Sequence, residues 1–212
     1  MNSNSSTDCP FCTVATVSFV LDGETFHRCP DCGLIVKDRA GHLSVAAELA
    51  RYDHHSMVAD TGYRTMMTTF LRDFALPFAT IKTAIDFGCG RIRLISDLLA
   101  AEGFLTACYD PFYEADEVSL SRRYGLITAT EVVEHFRDPG KSWAILAGLP
   151  ASAGIIAIMT RFIPADFSSW WYRRDPTHVC FYTRTTMNAI ARKYGLRILC
   201  GDERGNVTFK KD

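Results

Sequence analysis

Between residues 83 and 199 the chain alternates short apolar runs with stretches of helical spacing. Residues 83–86, 105–110, 126–130, 155–160 and 196–199 are strand-length apolar runs, while 96–101, 139–149 and 185–194 place apolar side chains on one helical face. That rhythm predicts an α/β fold with a mostly parallel sheet covered by helices on both faces. Upstream, Val45, Leu49, Met66, Met67, Phe70, Leu71 and Phe74 predict two helices, broken at Asp60-Thr61-Gly62 and ended at Pro77. Residues 9–40 alternate around Val17-Ser18-Phe19-Val20 and Leu34-Ile35-Val36 with a turn at Asp22-Gly23, the pattern of a small β module. Three zones result: 1–40 with a frayed polar start, a helical lid or linker at 41–80, and the sheet domain at 81–212.

Composition narrows the class. With 212 residues, 48% of them hydrophobic, the chain can build one sizeable core and a small appendage. Apolar runs such as 154–159 are too short to span a bilayer, and residues 1–8 lack the regions of a signal peptide, so a cytoplasmic protein without membrane contact is expected. A net charge of −1 carries no nucleic-acid signature. Residues 161–212 do hold ten Lys or Arg against five acids, which suits an anionic substrate or simply exposed helix faces.

Four of the eight cysteines form two knuckles, Cys9-Pro10-Phe11-Cys12 and Cys29-Pro30-Asp31-Cys32-Gly33, at the ends of the expected hairpin. Four thiolates there can surround one structural zinc, replacing a core that so short a module cannot build. Redox dithiols are the rival, but a single pair in a βαβ setting would serve that role. The first knuckle lacks the glycine that follows the second, so its turn should be less regular. The module's acidic balance argues against contact with a phosphate backbone, leaving a substrate lid or scaffold.

The run Ala84-Ile85-Asp86-Phe87-Gly88-Cys89-Gly90 is a buried strand that ends in an acid and opens into a glycine turn, as adenosine-bearing cofactors require. Arg93 occupies the place of the third glycine of a nicotinamide site. The next strand ends in Asp110-Pro111, where a carboxylate can accept ribose hydroxyls. Then follows Thr130-Glu131-Val132-Val133-Glu134-His135-Phe136-Arg137-Asp138-Pro139. On these three ordered motifs the chain resembles the class I S-adenosylmethionine-dependent methyltransferases, especially the branch of ubiquinone-biosynthesis methylases.

The resemblance implies a Rossmann-like sheet with S-adenosylmethionine on Asp86, Gly88, Cys89, Gly90, Asp110 and Pro111, and with Thr130 and Glu131 beside the sulfonium. Two departures stand out. Ile92 replaces a common third glycine, and about fifteen residues separate Asp110 from the next strand, so the third strand should be short or absent. The family implies a small-molecule acceptor. His135 and His178 are candidate bases, with Glu134 orienting one of them; a structural hydrogen bond is the equal alternative for His135. Tyr63, Arg64, Trp170, Trp171 and Tyr172 are candidates for substrate contact, although the tryptophans can equally form a satellite core. His54 and His55 could bind metal, but adjacent side chains diverge. A binding or scaffold protein on the same fold, and an RNA methyltransferase, are the competing functions.

Overall fold

The computed structural model describes residues 7–55 and 61–212; the polar start at 1–6, Asp60 and the side chains of His54 and His55 lie outside the described residues. A six-stranded sheet carries the strands β4 (Thr83–Phe87), β5 (Leu105–Tyr109), β6 (Tyr124–Thr130), β7 (Pro150–Met159), β9 (Leu196–Gly201) and β10 (Asn206–Lys211) in the order β5-β4-β6-β7-β10-β9. The pairs β4–β5, β4–β6 and β6–β7 are parallel, whereas β10 runs antiparallel to both its neighbours. Every residue of β6 is buried, as a central strand covered on both faces must be.

Helices α2 (Thr61–Phe70) and α3 (Leu94–Ala101) pack on one face, where Met67, Phe70, Leu94 and Leu99 meet Ala84, Leu126 and Ala157. Thr61 and Gly62, two residues of the expected break, are helical as the first residues of α2, and the third, Asp60, lies outside the described residues. The chain continues beyond it through a π turn, Leu71–Ala75, and a 3-10 turn, Leu76–Phe78, that contains Pro77. Helices α5 (Pro139–Gly148) and α6 (Arg184–Tyr194) cover the other face, with Trp143, Leu146, Met187 and Ile190 against Ile127, Ile156 and Phe209.

The sheet ends at β5, and among the described residues no strand lies outside it. The short path after Asp110 instead folds into a turn closed by reciprocal backbone bonds between Asp110 and Glu114, followed by the single-turn helix α4 (Glu117–Leu120). The opposite side exceeds expectation, because β10 is an additional strand. Its Thr208 is fully buried, and the hydroxyl is satisfied by the Phe74 carbonyl. A polar residue so disposed reads as surface in the sequence.

A second sheet, β1-β2-β3-β8, joins β1 (Val17–Leu21), β2 (Glu24–Arg28) and β3 (Ile35–Lys37) to β8 (Cys180–Phe181). The β1–β2 hairpin turns through Asp22 and Gly23 with φ of 52° and 80°, the left-handed pair that matches strand twist. Pairing of Ile35 with Phe181 and Val36 with Cys180 means that the loop after β7 supplies a strand to the N-terminal module. Phe26, Ile35, Phe167, Tyr172 and Phe181 form their own aromatic core there. Among the described residues no helix is long and apolar enough to cross a membrane.

Candidate functional site

The carboxyl ends of β4, β5 and β6 converge on the glycine turn. Asp86 is buried at the end of β4 and accepts from Thr128 Oγ1 at 3.1 Å; burial pushes its carboxyl up to about 7. Gly88 (φ 81°) has no room for a side chain, since a Cβ would sit 2.3 Å from Val132 Cγ2. Gly90 (φ 59°) faces open space. Arg93 also adopts a left-handed conformation, φ 52°, and ion-pairs with Glu114. The position where the third glycine would ease the turn is thus a strained arginine tied to the loop after β5, while Ile92 is exposed.

Asp110 closes this turn. Its Oδ1 accepts from Phe112 N (2.8 Å) and Tyr113 N (3.1 Å), and its Oδ2 accepts from Gly90 N at 3.0 Å. Oδ2 therefore retains acceptor capacity. Pro111 is exposed and opens the turn after it. Cys89 lies beside Cys108: a thiol hydrogen bond between them lowers Cys108 to about 6 and raises Cys89.

At the end of β6, Thr130 is buried, and Glu131 just past it takes φ 54° while its N–H donates to the Met159 carbonyl. Burial, with Glu134 nearby, raises Glu131 to about 8; burial raises the fully enclosed Glu134 to about 7. Glu134 does not orient a histidine, contrary to the sequence expectation. One oxygen accepts from the Tyr172 hydroxyl and the other from Thr160 Oγ1 at 3.1 Å.

Backbone carbonyls hold both imidazoles instead. His135 Nδ1 lies 3.0 Å from Thr177 O and His178 Nδ1 lies 2.7 Å from Tyr172 O, so each ring donates at Nδ1 and keeps Nε2 as an acceptor. The rings meet edge to face with centroids 4.9 Å apart. Burial lowers both, His178 to about 4 with the neighbouring His135 adding to the effect.

Helix α1 (Val45–His55) lies over this end of the sheet. Tyr52 packs between Phe112 and His135, with centroids at 5.6 and 5.4 Å, and donates to Glu48 Oε1. Glu48 pairs with Arg137, Arg51 with Asp175 at 3.1 Å, and Asp53 accepts from Tyr113 at 2.9 Å. Neither Tyr52 nor these ties are evident in the sequence, because an amphipathic helix does not reveal what its buried face touches.

The substrate candidates separate. Tyr63, on the first turn of α2, is partly exposed, and its phenol is raised by desolvation with the charges of Asp86 and Glu131 adding to the effect. Arg64 is exposed and makes no ion pair among the described residues; only its carbonyl is engaged, by Thr68. Trp170 is partly buried and packs on the satellite core, 6.0 Å from Phe181 and 5.0 Å from Tyr172. Trp171 is 61% exposed, and Tyr172 is buried against Glu134.

Residues 60–200 match a family described as a methyltransferase domain. The chain belongs to that family. Solved structures share the methyltransferase fold. One is a SAM-dependent methyltransferase from Archaeoglobus fulgidus, with TM-score 0.55, 18% identity, 70% of this chain and 94% of that one covered. A second is 1,6-didemethyltoxoflavin-N1-methyltransferase from Burkholderia thailandensis, solved with 1,6-didemethyltoxoflavin and S-adenosylhomocysteine. It gives TM-score 0.54 and 12% identity, with 91% and 97% covered. DesVI of Streptomyces venezuelae gives TM-score 0.54 and 12% identity, covering 81% of this chain and all of its own. No curated protein matches the sequence.

This methyltransferase also brings its N-terminal cysteines together. Cys9 and Cys32 Sγ lie 3.8 Å apart, Cys12 and Cys29 3.3 Å, and Cys12 and Cys32 3.6 Å. The edge of a tetrahedron with metal–sulfur bonds of about 2.3 Å is about 3.8 Å, so the set can hold one ion. Both knuckles close alike. Thr13 N donates to Cys9 O at 2.9 Å and Gly33 N to Cys29 O at 3.1 Å, with φ of 65° and 73°. The first turn is therefore as regular as the second, Thr13 taking the left-handed conformation in place of a glycine.

Proposed function

We propose that the protein transfers a methyl group from S-adenosylmethionine to a hydroxyl or acidic carbon of a small molecule. The carrying observation is the convergence of the glycine turn and Asp110 with a paired-imidazole site at the carboxyl ends of adjacent parallel strands. The turn suits the cofactor: space is open above Gly90, and Asp110 Oδ2 can still accept a ribose hydroxyl. When bound, the cofactor supplies an electrophilic methyl on a sulfonium. Gly88 and Gly90 would approach its methionine portion, and Thr130 and Glu131 would border the sulfur.

His135 then takes the acceptor's proton at Nε2. Burial keeps it neutral and able to accept, while Glu48 and Asp175 favour the cation that forms. His178, lowered to about 4, holds a proton poorly and positions the acceptor instead. Tyr52 and the rest of α1 exclude water from this point. The four cysteines serve as a structural zinc site, supported by their spacing; metal analysis of purified protein should return one zinc per chain, lost in Cys32→Ser.

The test of function is calorimetry with S-adenosylhomocysteine followed by radiolabelled methyl transfer into fractionated small-molecule extracts. Loss of transfer in His135→Ala with cofactor binding intact is expected. Absence of cofactor binding by folded, zinc-loaded protein would sink the proposal. A binding protein without turnover is the second reading, favoured by the missing strand beyond β5, and cofactor binding without any labelled product would select it.

A further inference from the structure

Arg161 is the side chain that the proposed chemistry leaves unused. It follows Thr160 just past β7, next to the end of β6, where Glu131 N–H reaches the Met159 carbonyl. Its Nε is buried with no hydrogen-bond partner, and the guanidinium enters no ion pair among the described residues. It lies instead over two rings, 5.3 Å from the centroid of Trp171 and 5.8 Å from that of Tyr172. Buried donors are nearly always paired, so this one points to a ligand.

The surroundings fix it in place. Thr160 N donates to Gly205 O at 3.3 Å and Phe162 N to Arg204 O at 3.0 Å, clamping the backbone on both sides of Arg161. Gly205 (φ 125°) lies so close that a Cβ there would fall 3.0 Å from Arg161 Cα. The acid facing it does not cancel its charge: burial raises Glu131 to about 8, so at neutral pH that carboxyl is largely protonated. It shares the Tyr172 hydroxyl at 3.2 Å with Glu134 rather than pairing with the guanidinium. Trp171 is 61% exposed beside Arg161, so its ring stays accessible to a ligand held by the guanidinium.

We propose that Arg161 and Trp171 form an anion subsite that selects a substrate bearing a carboxylate or phosphate next to a flat ring or a sugar. The planar fork of Arg161 would grip two oxygens while the ring stacks on Trp171. The inference rests on the methyltransferase reading for the purpose of the subsite, but its test does not require turnover.

Zinc-loaded protein saturated with S-adenosylhomocysteine is titrated with phenyl phosphate, benzoate and phenol, following tryptophan fluorescence and calorimetric heat. At least one anion should bind tenfold or more tighter than phenol, and the tighter of the two identifies phosphate or carboxylate. Arg161→Gln should remove that preference. The Arg161 Nε–H resonance, assigned by its absence in Arg161→Lys, should shift on adding the preferred anion, a readout that does not require the glutamine variant to fold. Equal binding of all three probes, an Arg161→Gln variant with the preference intact, or a stationary Nε–H signal overturns the subsite. Failure of S-adenosylhomocysteine to bind is seen in the first titration and counts against the methyltransferase reading alone.

Discussion

The Tyr172 hydroxyl donates to Glu134, a carboxyl that is completely enclosed and whose second oxygen accepts from Thr160. Glu131 lies 3.2 Å from the same hydroxyl, so a protonated Glu131 can donate to the phenol oxygen while the phenol donates onward to Glu134. Tyr172→Phe cuts that chain in the middle. The variant should lose about 1.5–3 kcal/mol of stability, the range for a hydrogen bond to a charged group, and Glu134 should titrate higher still. Urea denaturation and the carboxyl signals of isotope-labelled glutamate check both; an unchanged midpoint and titration would show that the contact does neither.

Three buried acids each contribute a loss of stability as pH rises. Asp86 and Glu134 are raised to about 7 and Glu131 to about 8, whereas unfolded carboxyls ionise near 4. Between those values the folded state holds more protons, so stability falls as pH rises. The lowered histidines act oppositely, but only below about 6.5, where the unfolded imidazoles are protonated. From pH 6.5 to 8 the acids are opposed by Cys108, whose thiol is lowered to about 6 and whose contribution grows with pH over that window. The Glu131 share is isolated by Glu131→Gln, which should make the slope of stability against pH more positive by up to about 1.4 kcal/mol per pH unit. Chemical denaturation at half-unit intervals measures it, and a slope that Glu131→Gln leaves unaltered would contradict the assignment.

Gly88→Ala meets Val132 head-on at a backbone angle that alanine resists. Cofactor affinity should drop at least tenfold and the melting temperature should fall. Adding Val132→Ala removes the collision but not the φ of 81°, so the double variant should recover only part of both losses. Full recovery would show that sterics alone set the turn.

Asp110→Ala strips acceptors from Gly90, Phe112 and Tyr113 at once. S-adenosylhomocysteine should bind at least tenfold more weakly, with faster amide exchange at those three residues. Asp110→Asn keeps one carbonyl oxygen and should fall between. Should exchange stay slow in Asp110→Ala while affinity drops, the carboxylate serves the ligand and not the turn.

Much of the fold is legible because apolar runs of strand length carry their own signal: β4, β5, β6, β7 and β9 each contain one. The shortage of residues after Asp110 likewise forecasts the open edge at β5. What escapes is set by partners distant in sequence. Thr208 is buried only because Phe74 supplies a carbonyl, and Cys180 and Phe181 become a strand only because Ile35 and Val36 offer an edge. Trp170 and Trp171 look alike in sequence; packing alone sends one into an aromatic core and leaves the other exposed beside Arg161. Arg161 itself has the same signature as Asp110, a charge immediately past a strand, but it sits in a basic stretch that hides it.

The β3–β8 pair also dictates an order of assembly. Residues 17–37 are made well before Cys180 and Phe181, so their sheet stays one strand short until that later segment has left the ribosome. Ile35 and Val36 must wait with an unpaired edge, and a closing contact between segments so far apart in sequence is slow to form. A metal ion held by the four cysteines would give the waiting hairpin a means of holding its shape during that interval. Their gathering at its base therefore bears on how the chain survives its own synthesis as much as on the finished molecule.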